Sequence, residues 1–210
     1  TTAAGTTFWA LGLITDLAQL ELWHFDDDGA TLAGPIVLDA AVNWAGAFAI
    51  DTTETYCYIG TLFDAGSDGL IRRYLVSDGS YDSTLATGTG LGPLTASLRA
   101  LPAGGIVACW QPYDPAPTPG DPVDLTLTRY NAAGAIQVSI TAGSVTEVSP
   151  PIQWGTTLIL DPDGLHVWFC AYGIAITKFL LSDLSTVTTS ANTVRAADGF
   201  IGPVAYTVSA

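Results

Sequence analysis

Four segments of this 210-residue chain follow one pattern. LELWHF (20–25) is followed by DDDG, GLIRRY (69–74) by LVSDG, LTLTRY (125–130) by NAAG, and IAITKF (174–179) by LLSDL. Each reads aliphatic, any residue, aliphatic, any residue, basic, aromatic, and then a turn; Gly69 takes the first aliphatic place in the second copy. The basic residues His24, Arg73, Arg129 and Lys178 stand 49, 56 and 49 positions apart, and the longer interval contains the insertion QPYDPAPTPGDP at 111–122. Self-similarity at this period commits a chain to repeated copies of one supersecondary unit.

A second signal recurs upstream of the first. WAGAFAID (44–51) precedes ETYCYIG (54–60), LTASLRALP (94–102) precedes GIVACW (105–110), and WGTTLILDPDG (154–164) precedes LHVWFCAYG (165–173). Each is a strand of small and aliphatic residues, a tight turn, and a second strand. β-Branched and aromatic residues alternate throughout between Gly, Asp and Pro, the pattern of strands, and no helical stretch stands out. Four units of about 50 residues with about four strands each match the blades of a β-propeller. The fourth copy of the first strand is absent from the start of the chain and appears at its far end as GPVAYTVS, 202–209. The expected fold is therefore all-β: a four-bladed β-propeller, closed by pairing of the C-terminal strand with the N-terminal blade, whose other strands lie in about 7–38. Closure of this kind removes the gap that would leave strand edges open. The chain reads as a single domain with blades at 202–210 plus 1–40, 41–90, 91–145 and 146–198.

The DPDG turn at 161–164, the aromatic strand after it, and KFLLSD at 178–183 resemble the generic blade of the YVTN, NHL and TolB type of propeller repeat. The resemblance covers all four units loosely and the last one best. It implies the fold, is specific to no single family, and carries no activity with it.

The repeated cation needs an account in such a fold. On the third strand Ile71 and Arg73 share one face, and Arg72 and Tyr74 share the other. Both faces of a blade pack on neighbours, and an unpaired buried cation is costly. The expectation is that each of His24, Arg73, Arg129 and Lys178 lays its stem between blades and brings its head to an Asp or to carbonyls near the rim. The alternative is a fourfold ring of cations that captures an anion.

Composition narrows the function. Charged residues are 12% of the chain against an ordinary 25% or so, while 49% is hydrophobic and mean hydropathy is +0.38. Such a chain hides much of its surface, in its own core or against other chains. A net charge of −14 argues against nucleic acid, whose phosphates require clustered Lys and Arg. Gly, Pro, Asp and Thr interrupt every apolar stretch, so no transmembrane helix is expected. TTAAGTT at 1–7 has no basic segment, so it does not read as an uncleaved signal peptide. Cys57, Cys109 and Cys170 fall near one position in three repeats, form no CxxC, and read as buried small side chains.

Catalytic signals are poor. HExxH and the G-x-S-x-G elbow are absent, and His24 and His166 have no nucleophile at a recognised spacing. GTGLG (88–92) lacks a strand–loop–helix context for phosphate, and DDDG (26–29) aligns with the hairpin turns rather than with a calcium loop. No catalytic residue, metal or cofactor is assigned. Trp44 and Trp154 each precede a first strand, which places both near one mouth of the channel. With Tyr113 of the insertion they are the candidate glycan contacts, by ring stacking. The expected role is a non-enzymatic docking module of a larger assembly, with a bacteriophage virion component (tail, spike or capsid-attached protein) as the setting. Its partners are other chains, copies of itself included. A carbohydrate-binding propeller is the alternative, with an extracellular setting, and a glycan hydrolase with an aspartate-lined channel mouth is the second.

Overall fold

The computed structural model describes residues 7–14, 19–38, 44–62, 69–88, 94–111, 121–146, 156–171 and 174–193. Among them there are strands and turns and no helix, so no helix is long and apolar enough to cross a membrane. The strands form four antiparallel meanders arranged in a ring as a β-propeller. The first blade holds β1 (Phe8–Ile14), β2 (Gln19–Phe25) and β3 (Thr31–Val37). The second holds β4 (Trp44–Ile50), β5 (Tyr56–Leu62), β6 (Gly69–Leu75) and β7 (Tyr81–Gly88). The third holds β8 (Leu94–Ala100), β9 (Ile106–Gln111), β10 (Pro122–Tyr130) and β11 (Ile136–Thr146). The fourth holds β12 (Thr156–Leu160), β13 (His166–Ala171), β14 (Ala175–Leu180) and β15 (Thr186–Thr193). The first strands β4, β8 and β12 lie beside one another at the centre, and the fourth strands form the rim. The first blade shows three strands where the others show four. Its expected fourth strand, 202–209, lies outside the described residues.

Apolar side chains fill three junctions between successive blades. The first and second blades bury Leu20, Leu22 and Leu38 against Cys57, Ile59 and Tyr74. The second and third bury Tyr58, Ile71 and Leu85 against Leu98, Ile106 and Trp110. The third and fourth bury Val107, Leu125 and Leu127 against Leu158, Val167 and Phe169. A fully buried Leu, Ile or Phe contributes about 1.5–3 kcal/mol, so these shared cores dominate the energetics. The largest buried side chain, Trp110, also donates from Nε1 to the Tyr130 hydroxyl at 2.9 Å, which satisfies the indole within an apolar junction.

The cysteines divide differently from the expectation of one shared position. Aligned on the first hairpin (Ile50 opposite Cys57, Ala100 opposite Ile106, Leu160 opposite Val167), Cys109 and Cys170 are equivalent and Cys57 comes three residues earlier. An odd offset on a strand reverses the face. All three thiols are buried, and desolvation pushes those of Cys57 and Cys109 up to about 12.

The hairpin turns lock successive blades together. Gly79, in the turn between β6 and β7, has φ of +75°, and a Cβ there would lie 2.1 Å from the Val37 carbonyl oxygen of the first blade. Gly29 at the matching turn of the first blade has φ of +82° but open space around its Cβ position. Gly79→Ala is expected to destabilise by more than about 2 kcal/mol, through the left-handed backbone and the collision together, and Gly29→Ala by only about 1 kcal/mol. Urea unfolding of the two variants checks this, and equal losses would contradict the interlocked turn.

Candidate functional site

The repeated cation position runs along the edge of the ring that carries the turns between first and second and between third and fourth strands. Those two turns of a blade are joined to each other: Val76 N donates to Thr55 O at 2.9 Å and Leu181 N to Leu165 O at 2.8 Å. The Arg73 Nη2 lies 2.7 Å from Asp82 Oδ2, Nη1 donates to the Ala132 carbonyl of the next blade at 3.0 Å, and the guanidinium lies 4.5 Å from the centre of the Tyr56 ring. Arg129 repeats the crossing, with Nη1 donating to the Ser182 carbonyl of the fourth blade at 3.3 Å. Lys178 instead stays on its own blade, where its ammonium pairs with Asp161 and lies 5.3 Å from the Trp168 ring centre. His24 stacks on Trp9 at 4.1 Å between centroids and 10° between planes, and Trp9 Nε1 reaches Glu54 at 3.4 Å. Four cationic positions that reach four separate partners around a rim do not converge on one anion. Arg99, on the first strand β8, is the remaining described cation besides Arg72; it donates to its own neighbour, the Leu98 carbonyl, at 2.7 Å.

The carboxylates of this edge are engaged in building turns. Asp51 Oδ1 accepts from the Thr55 and Tyr56 amides at 2.8 and 3.1 Å, Asp26 from Ala30 at 2.7 Å, and Asp183 from Ser185 at 2.9 Å. These are the local side-chain-to-backbone bonds that short acidic residues form in turns. Four aspartates of this edge are held in their charged form. The Leu165 amide above all, with His166 behind it, keeps the Asp163 carboxyl below its usual range. The amide and hydroxyl of Ser80 do so for Asp78, the hydroxyl and amide of Ser185 for Asp183, and the Ser83 hydroxyl followed by Arg73 for Asp82.

Asp161, Asp163 and His166 lie close enough to face a common point. Their atoms are already committed: His166 Nδ1 to Asp163 at 2.6 Å, Asp163 to two backbone amides, and Asp161 to the Lys178 ammonium. A cation that entered would have to displace Lys178. Asp51 and Asp161, the aspartates closest to the ends of first strands, hold a turn and a salt bridge, and the structure pairs neither with a second free carboxylate.

Of the candidate glycan contacts, Trp44 opens β4, where its backbone pairs with Leu62. Trp154 and Tyr113 lie outside the described residues, as does most of the insertion. What the repeat reading missed is a set of uncovered apolar side chains. Leu32, Tyr81, Ile136 and Val187 are each the first or second residue of the last described strand of a blade, and all are exposed, as is Leu165 in the turn before β13. The sequence signal was present: in each copy an apolar residue follows the turn within a few positions.

No protein-family profile matches the chain, and no curated protein does. Solved structures do. Hydrazine synthase of Kuenenia stuttgartiensis is 9% identical over 82% of this chain and 49% of that chain, with a TM-score of 0.56. A candidate 6-phosphogluconolactonase of Bacteroides fragilis is 18% identical over 86% of this chain and 49% of its own, with a TM-score of 0.50. The WD40 β-propeller domain of Doa1 is 13% identical over 89% and 53%, with a TM-score of 0.49. The chain thus spans about half the length of these structures, and the likeness is one of fold.

Replacing Arg73 with Met removes a charge-assisted bond and the crossing to the third blade. Surface exposure reduces what such a bond contributes, so the expected loss is about 1 kcal/mol, or about 2–4 °C in melting temperature. An unchanged melting temperature would contradict a structural role for the cation.

Acid provides a second test. An Asp carboxyl lowered in the folded state stabilises above its unfolded value of about 3.9, and that stabilisation is lost as pH falls through the lowered folded value. Melting temperature should therefore drop below about pH 4, and less steeply in Asp163→Asn, which keeps an acceptor that does not titrate. An identical acid limb in both proteins would remove Asp163 from this account.

Proposed function

We propose that this protein is a non-enzymatic docking module of a larger assembly, and that the assembly is a bacteriophage virion, with the chain as a tail, spike or capsid-attached component. One observation carries the reading. Arg73 and Arg129 cross between blades, Lys178 pairs within its own, and Asp26, Asp51, Asp163 and Asp183 hold turns, while large apolar side chains stand uncovered around the edge. Chemistry of that kind suits a surface that is itself covered by protein. Low charge content points the same way, since 12% charged residues leave few groups to solvate a free surface. The fold contributes nothing to the choice, because propellers serve many functions. The likeness to a candidate lactonase adds no catalytic residue to this chain.

A carbohydrate-binding role is the second reading. It is favoured by Trp44 at the start of a central strand, where an indole could meet a sugar face.

Two measurements separate these readings. Particles sedimented from cells that produce the chain in its native context should contain it at fixed stoichiometry; recovery only as a free monomer would overturn docking. On a glycan array the docking reading expects background signal. Specific glycan binding that disappears in Trp44→Ala would establish the second reading instead.

A further inference from the structure

We infer that the hairpin edge of the ring is the docking face, and that it fits a protein surface carrying basic residues beside apolar hollows. The inference rests on the docking reading above and names the side of the molecule and the chemistry of the partner.

Single exposed apolar residues are normal on any protein. Here each blade carries one at the start of its rim strand, at the first place in the second and third blades and at the second place, on the opposite face, in the first and fourth. Thr31, Tyr81, Ile136 and Thr186 are equivalent by register, being opposite Phe25, Tyr74, Tyr130 and Phe179. The exposed Leu32, Tyr81, Ile136 and Val187 therefore occupy the first or the second place of the rim strand in all four blades. With Leu165 they are between 44% and 63% exposed. All sit immediately after a hairpin turn, or in one, and so on the same edge.

The same edge is acidic. Exposed carboxylates precede the apolar residue in three blades: Asp27 and Asp28 before Leu32, Asp78 before Tyr81, and Asp183 before Val187. The third blade has Asn131 in the corresponding turn. The cations of this edge do not offset them outward. Arg73 and Lys178 are paired, and Arg129 points to the Ser182 carbonyl. A second copy presenting this edge would bring like charge against like charge in a chain of net −14, so self-association through it is disfavoured. A partner with Lys or Arg around apolar depressions would be steered in by the charge and held by the apolar contacts.

The triple variant Ile136→Ser/Leu165→Ser/Val187→Ser removes apolar groups that are already in solvent, so its melting temperature should match the parent. Two probes are used: a peptide of alternating Lys and Leu, and an oligolysine of the same charge. The parent should bind the Lys–Leu peptide at least tenfold more tightly than oligolysine. The triple variant should bind both alike, and Asp121→Asn, off this edge, should behave as the parent. An unreduced preference in the triple variant, or no preference in the parent, would overturn the inference. In native particles the triple variant should be depleted at least tenfold. If it enters as well as the parent, this edge is not the docking face although docking stands; if the parent does not enter, docking itself fails.

Discussion

Every sheet of this protein that has a neighbour on each side is buried on both faces, and the rest of the structure follows from that constraint. A half-buried sheet can alternate apolar with polar residues. A sheet packed on both sides must fill both registers, which is why 49% of the chain is hydrophobic while few residues carry charge. The strand interiors Cys57–Ile59, Ile106–Trp110 and Val167–Ala171 are apolar runs buried along most of their length. Ser97, Thr128, Thr156, Thr157 and Thr177 stay buried, the Ser97 hydroxyl accepting from the Leu158 amide at 3.0 Å, while charge gathers toward the edges of the ring. There aspartates accept backbone amides in turns, and the repeated cations cross to the next blade or close back on their own.

This placement of charge links the fold to the proposed role. On the described edge Asp78, Asp163 and Asp183 are held in their charged form by backbone amides and serine hydroxyls, and His166 is tied to Asp163. The exposed side chains there include apolar ones and the carboxylates of Asp27 and Asp28. Under the proposed docking role, an edge that combines negative charge with exposed apolar residues would be recognised by a protein surface.

Much of this was legible in the residues. The aliphatic–x–aliphatic–x–basic–aromatic copies located β2, β6, β10 and β14, because period-two alternation and a turn after an aromatic residue are local signals. The parity argument that put Ile71 and Arg73 on one face agrees with Ile71 packed toward the third blade and Arg73 reaching Ala132 there. Other features were not local. Lys178 aligns with Arg73 and Arg129, yet it pairs within its own blade, since Asp161 stands within reach on the neighbouring hairpin. The cysteines looked equivalent by approximate spacing, but Cys57 opens the second-strand register while Cys109 and Cys170 stand three places further along, and the facing of a side chain depends on single residues. The uncovered rim residues are apolar letters like any other in the sequence; only the packing of the blades shows which of them remain outside.

Shared cores between successive sheets make one prediction about the molecule as a whole. No blade can lose its structure without exposing the faces of its neighbours, so unfolding should be a single event. Differential scanning calorimetry tests this directly: the account predicts one transition with calorimetric and van't Hoff enthalpies equal. Several resolved transitions, or a calorimetric enthalpy several times the van't Hoff value, would show blades melting independently and would contradict it.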